Sequence, residues 1–188
     1  MKKLMIAAAV ICAAAFVQAA SIDWGVPNNA ILMGDGTSKP ATGTLVYLIN
    51  GSTTLDTIAS AVSSGKVTEQ DWYYGSKATS NTKGYIAENT VDGGSKLTAG
   101  SSYNFSALLI DGDKYMVSKA FAQTAYTPGV DEARSVSFDS SYFGANALTA
   151  SAAGAQNGWA ATAATPEPTS AMLILLGFAG LALKRKRA

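Results

Sequence analysis

The chain has 188 residues, and its 14 Lys and Arg against 13 Asp and Glu give a formal net charge of +1 at pH 7. It has no histidine and one cysteine, Cys12, which excludes intrachain disulfides, Ser-His-Asp and Cys-His catalysis and the usual zinc sites. Residues 20–165 hold 8 basic and 12 acidic residues, a net charge of −4 without clustered cations, so we expect no nucleic-acid partner, no metal and no cofactor.

The first 19 residues have the pattern of a secretory signal peptide. Two lysines follow Met1, and an apolar run over residues 4–17 then gives way to small residues. Because small or short side chains stand at the −3 and −1 positions, signal peptidase is expected to cleave after Ala19, with Ala20 as the alternative. Cys12 leaves with this segment, so the exported protein has no thiol.

Residues 20–144 are predicted to form a β-rich extracytoplasmic domain. Short runs of β-branched and aromatic residues are separated by Gly, Asn, Asp and Pro, which is typical of strands and turns. The predicted strands lie at 21–26, 30–33, 43–50, 102–110, 114–122 and 134–138, with shorter ones at 72–74 and 85–87. The fold class is therefore mainly β, either an antiparallel β-sandwich or a rolled sheet, with one short helix.

That helix is predicted between residues 53 and 64. Apolar residues recur there at i, i+3, i+4 and i+7. Ser52 or Thr53 can cap the start of the helix, and Gly65 can end it.

The sequence Asp111-Gly112-Asp113 predicts a β-hairpin turn, because glycine supplies the positive φ that a tight turn requires. The loop length stays open between two, three and four residues. The two carboxylates could also ligate Ca²⁺, but the further ligands and the closing Glu of an EF-hand-type loop do not follow. The turn is the favoured interpretation.

Residues 145–165 are rich in Ala, Thr, Ser, Gly and Asn and are interrupted by Trp159. Low side-chain bulk and few charges are typical of a linker. This composition predicts a flexible spacer that holds the domain off the membrane.

Residues 166–188 combine three features in a fixed order. A Pro-Glu-Pro motif, formed by Pro166, Glu167 and Pro168, precedes thirteen apolar residues, 171–183. A basic cluster of Lys184, Arg185, Lys186 and Arg187 follows. As a helix, the apolar stretch reaches about 20 Å of a hydrocarbon core of roughly 30 Å, and snorkelling basic side chains can absorb part of the mismatch. A transmembrane helix with its basic end in the cytoplasm is predicted.

This order resembles the PEP-CTERM sorting signal of bacterial proteins handled by exosortases. The resemblance covers only the C-terminal tail. It implies a precursor held in the inner membrane, processing by an exosortase-type enzyme, and delivery to the cell surface or to an exopolysaccharide (biofilm) matrix. The alternative is a stop-transfer anchor that stays on the protein. Such tails occur on unrelated domains, so the resemblance leaves the activity of the body open.

For the body, we expect a non-catalytic cell-surface or matrix protein, with a carbohydrate-binding module as the alternative. The aromatic residues proposed to stack on a sugar ring are Trp72, Tyr73, Tyr74 and Tyr85, although aromatic residues of small β domains more often belong to the core. Carboxylate pairs at 69 and 71 and at 131 and 132 fit the acids that glycosidases use. Adjacent acids in loops are usually only solvated, so an enzyme is not expected.

Overall fold

Residues 19–162 are described by a computed structural model; the signal-peptide prediction up to residue 18 and the sorting-signal prediction from residue 166 lie outside them. The α-helix and the β-strands of the described range are β1 (Ser21–Val26), β2 (Leu45–Asn50), α1 (Leu55–Ser63), β3 (Tyr73–Ala78), β4 (Ile86–Asp92), β5 (Ser102–Asp111), β6 (Lys114–Val117), β7 (Phe121–Thr124), β8 (Ser135–Ser137) and β9 (Ala160–Ala161). Short 3₁₀ helices lie at Val67–Glu69, Ser140–Tyr142, Gly144–Asn146 and Leu148–Ser151. The prediction of a mainly β fold with one α-helix is confirmed.

The strands form two sheets. The smaller has the order β4–β1–β8, and the larger runs β3–β2–β5–β6–β9, with β7 also paired to β5. The pairing of β1 with β8 is parallel, which corrects the expectation of purely antiparallel strands. Parallel neighbours need a long connection, and most of the domain lies between these two strands.

Apolar side chains from both sheets meet in one core cluster. Trp24 and Val136 come from the smaller sheet and Phe105 from the larger one, and all three are fully buried. Alternation along each strand sends these residues inward and their neighbours outward. At one side the sheets also touch, because a Cβ on Gly75 of β3 would lie only 2.9 Å from a methyl group of Val91 in β4.

The predicted hairpin joins β5 to β6 through a two-residue loop. Asp111 pairs with Lys114, which leaves Gly112 and Asp113 in the loop and resolves its length. Gly112 has a φ of +59°, and a glycine with positive φ at the first loop position is what a type II′ turn requires.

The strand predicted over residues 114–122 is divided into β6 and β7. The break falls at Ser118, which is fully buried. Its hydroxyl accepts a hydrogen bond from the Ala107 amide at 2.8 Å and donates to the Lys119 carbonyl at 2.9 Å. A side chain that bonds to local backbone in this way competes with the ladder, and the chain turns so that β7 pairs with the first half of β5.

The single α-helix of the described range, α1, lies on the opposite face of the larger sheet. Its N-cap is Thr54, whose hydroxyl accepts from the Thr57 amide at 3.4 Å, one residue beyond the predicted caps. Gly65, with a φ of +68°, follows its end as predicted. Ile58 and Ala61 bury the inner face of the helix in a second apolar cluster. No helix among residues 19–162 is long and apolar enough to cross a membrane.

The structure corrects the spacer predicted over residues 145–165, because the chain is packed onto the domain as far as residue 162. Thr149 and Trp159 are buried, and β9 pairs with β6. The Trp159 indole Nε1 donates to the Leu32 carbonyl at 3.0 Å. Small side chains cover little surface themselves, but they allow close backbone approach in short 3₁₀ turns. The same composition therefore suits a packed segment and a linker.

The loop that Trp159 contacts is shaped by Asp35. The Oδ1 atom of this residue accepts from the Thr37 amide at 2.8 Å and from the Ser38 amide at 2.7 Å, and its Oδ2 accepts from the Ser38 hydroxyl. The hydroxyl bond, followed by the backbone bonds, lowers the pKa of Asp35 from 3.8 to about 2. Hydrogen bonds of this kind stabilise the charged form.

Acid is therefore expected to loosen this loop. Because the pKa of Asp35 is depressed in the folded state, its stabilisation of the loop is complete above pH 3.8 and is lost as the pH falls through about 2. Ser38→Ala should move the midpoint of Asp35 back toward 3.8, as followed by the carboxyl carbon shift in NMR. Asp139, which is bonded to Ser141 instead, should not move. Equal Asp35 midpoints in both proteins would contradict the assignment.

Candidate binding groove

The four aromatic residues proposed to stack on a sugar do not form one platform. Trp72 and Tyr73 pack against the cluster beneath α1, and the Tyr73 ring meets Tyr47 edge-on at a centroid distance of 6.2 Å. Tyr74 packs against the core on the opposite face, 5.4 Å from the Phe105 ring. Tyr73 and Tyr74 are consecutive residues of β3. Because consecutive strand residues point to opposite faces, the strand itself separates these two rings.

The carboxylates considered for acid–base or calcium chemistry lie on separate connections. Glu69 and Asp71 precede β3, Asp111 and Asp113 flank the hairpin glycine, and Asp131 and Glu132 lie between β7 and β8. Among residues 19–162, no group of three or more Asp, Glu, His or Cys side chains could hold a metal ion.

The fourth aromatic residue, Tyr85, lines a groove of about 210 Å³ on the outer face of the smaller sheet. All three strands of the sheet contribute to it, together with Pro27, which follows β1, and Tyr85, which precedes β4. The lining residues are Gly25, Val26, Pro27, Tyr85, Ile86, Glu88, Ser135, Val136 and Ser137. We call this feature the outer-face groove.

Gly25 forms the floor of the outer-face groove. Its neighbours Trp24 and Val26 are buried in the core, so the alternation of β1 turns residue 25 outward, where it presents no side chain. A Cβ here would lie 3.0 Å from the Ile86 carbonyl oxygen, because the register between β1 and β4 shifts between residues 24 and 26. A side chain at residue 25 would therefore be crowded against the β4 backbone, and glycine avoids this contact.

Polar side chains form the walls. Ser137 pairs directly with Gly25 across the parallel ladder, and Ser135 occupies the preceding outward position of β8. Glu88 lies on the β4 side, with its backbone amide 3.4 Å from the position of a Cβ on residue 25. All three wall residues are exposed, which leaves two hydroxyls and a carboxylate accessible to a ligand.

Two hydrogen bonds, one within the loop before β4 and one from that loop to the turn after β1, fix the end of the groove that carries Tyr85. The Ser80 amide donates to the Tyr85 carbonyl at 2.8 Å, which closes the loop between β3 and β4. From that loop, Asn81 Nδ2 donates to Asn28 Oδ1 at 3.0 Å, in the turn that begins at Pro27. The tyrosine and proline walls are thus held in place before a ligand arrives.

Next to the groove, the same sheet face carries the Asp23 carboxylate, which is buried beside the Tyr126 side chain. Tyr126 Oη donates to Asp23 Oδ1 at 3.0 Å, and both residues are buried. Burial, followed by the hydrogen bond to Asp23, raises the pKa of Tyr126 above its ordinary value of 10.0, and the charge of Glu88 raises it further. The Tyr126 hydroxyl therefore stays protonated and donates to Asp23.

Residues 19–162 define a mainly β domain with a small, polar-walled groove on the outer face of its smaller sheet. No family model, curated protein or solved structure matches the chain. The functional interpretation therefore depends on the chain's own residues.

Proposed function

We propose that this chain is an exported, non-catalytic protein of the bacterial cell surface or exopolysaccharide matrix, sorted by an exosortase-type enzyme. The observation that carries the proposal is how the folded domain fits between the two predicted targeting segments. β1 begins at Ser21, directly after the predicted signal-peptide cleavage. The last described contact, from Thr162 to the Asp113 carbonyl, comes shortly before the Pro-Glu-Pro motif.

Contacts at the start of the domain favour cleavage after Ala19. The Ala20 side chain is buried, and its carbonyl accepts from the Gly93 amide at 2.9 Å. Removing Ala20 would delete both contacts, whereas Ala19 is only half-buried. Cleavage after Ala19 leaves a mature protein that begins at Ala20 and keeps both contacts.

The composition of the groove supports binding without catalysis. We interpret the two sheets and their shared core as a β-sandwich, with the groove on its outer surface. Most glycosidases use two carboxyl groups across the scissile bond, and the groove is lined by a single one, Glu88. The chain also has no histidine to serve as a general base.

Intact mass of the protein from membrane, matrix and culture fractions of its own host tests the sorting proposal. The expected main species starts at Ala20 and ends between Thr165 and Pro168. Glu167→Gln should remove most of this species and leave a membrane-bound form that retains Arg187, because the altered motif is no longer cleaved. Glu132→Gln, which changes an exposed acid of the folded domain, serves as the matched control.

Two outcomes would contradict the proposal. If the unaltered chain keeps Arg187 and stays in the membrane, the tail is a lasting anchor. If Glu167→Gln is shortened as efficiently as the unaltered chain, the Pro-Glu-Pro motif does not direct the cleavage.

A further inference from the structure

We propose that the outer-face groove binds one neutral sugar ring of a polysaccharide, with Tyr85 against the ring face and Glu88, Ser135 and Ser137 on its hydroxyls. The inference deepens the proposed function and rests on it only for the source of the polysaccharide. The four residues come from β4, β8 and the loop before β4, and the floor at Gly25 brings them around one space.

The size of the groove fits a single ring. Its volume of about 210 Å³ is below the roughly 300–1,000 Å³ of pockets for drug-sized ligands. Gly25 lines this space and presents no side chain to it. Because the groove lies on a sheet face and not inside the core, the neighbouring rings of a longer chain can stay outside it.

The chemistry of the lining matches the two kinds of surface that a pyranose presents. Its C–H face is apolar and suits the Tyr85 ring, with Pro27 extending the apolar surface. Its rim of hydroxyls needs both donors and acceptors. Serine hydroxyls supply both, and an ionised Glu88 accepts through two oxygens. Hydrogen bonds to an ionised partner are the stronger kind.

Charge selects a neutral sugar over an anionic one. Glu88 lines the groove, Asp23 lies on the same sheet face two positions from Gly25, and the domain carries a net charge of −4. The Tyr126 hydroxyl, which could otherwise donate to an anion, is already bound to Asp23. A uronate would meet like charge without a cation among the lining residues, and like charges at close range are repulsive.

The walls are also organised in advance. The bonds from Ser80 to Tyr85 and from Asn81 to Asn28 fix the aromatic end, so less ordering entropy is lost on binding. A second depression along α1, lined by Asp56, Thr57, Ser60, Ala61, Ser64 and Gln70, has no aromatic side chain and lacks this combination.

Saturation-transfer-difference NMR on the full chain, purified from host membranes in detergent, tests the inference. The probes are maltotriose, cellotriose and mannotriose as neutral sugars and trigalacturonate as an anionic one. We expect saturation transfer to at least one neutral trisaccharide and none to trigalacturonate. Tyr85→Ala and Glu88→Gln should each weaken that binding about tenfold, through the lost ring contact and the lost charged acceptor.

Matched controls separate a local effect from a loss of fold. Tyr47→Ala removes another half-buried tyrosine, on the helix-covered face of the larger sheet, and Glu132→Gln removes another exposed acid. Both should bind as the unaltered chain does, and circular dichroism should show the same strand content for all variants.

The inference is overturned by no transfer to any neutral trisaccharide, by unchanged binding in Tyr85→Ala, or by a preference for trigalacturonate. These outcomes are independent of the sorting proposal, because the assay requires no processing. Sugar binding, together with a tail that is retained in every fraction of the host, would overturn the sorting proposal and support this one.

Discussion

Trp159→Ala should lower the free energy of unfolding by about 3–5 kcal/mol, the usual cost of removing a buried aromatic side chain. Trp159 is 3% exposed, and its indole packs on Gly34, 3.6 Å from the position of a Cβ there. Its Nε1 donates to the Leu32 carbonyl, so the substitution also leaves that acceptor without its partner. Urea denaturation followed by far-ultraviolet circular dichroism measures the change, since tryptophan fluorescence would itself be altered.

Val130→Ala provides the comparison, because Val130 is 75% exposed and such surface substitutions usually change stability by no more than about 0.5 kcal/mol. If Trp159→Ala were as mild as this control, residues 145–162 would behave as the flexible spacer that their composition predicts. A large effect would mean that the domain is incomplete without them.

Composition predicted a flexible spacer where residues 145–162 are packed, because Ala, Ser, Thr and Gly occur in both kinds of segment. In a linker they keep the chain free of a core, and in a packed segment they let backbones approach within contact distance. Gly158 illustrates the packed kind, since it has a φ of +80° and a Cβ on it would lie 2.4 Å from the Gly144 carbonyl oxygen. The one sign in the sequence was Trp159, whose large apolar ring is costly to leave in water.

Local patterns predicted the strands that alternate clearly, the helix and the hairpin, because each is decided by neighbouring residues. The groove depends on long-range pairing instead. The sequence predicts that Tyr85 contacts a sugar together with Trp72, Tyr73 and Tyr74, and the structure places those three residues elsewhere. Ser135 and Ser137 line the same groove as Tyr85, and they are brought there by the parallel pairing of β8 with β1.

Thr149→Val should lower the free energy of unfolding by about 2–4 kcal/mol, although the two side chains have nearly the same shape. The Thr149 hydroxyl is fully buried, accepts from the Val117 amide at 3.1 Å and donates to the Gly158 carbonyl. Valine cannot replace either bond, and each buried group left unsatisfied costs about 1–3 kcal/mol. Both orphaned groups lie where residues 145–162 meet β6.

Thr149→Ser separates the hydroxyl from the methyl group. It keeps both hydrogen bonds and should cost only about 1 kcal/mol for the lost methyl. Amide exchange adds a local measurement: the Val117 amide should stay protected in the serine variant and exchange faster in the valine variant. Equal stability of the two variants would mean that packing alone holds this segment. A clear difference would mean that one buried hydroxyl fixes it to the sheet edge, a contact that the sequence of the segment gives no means of predicting.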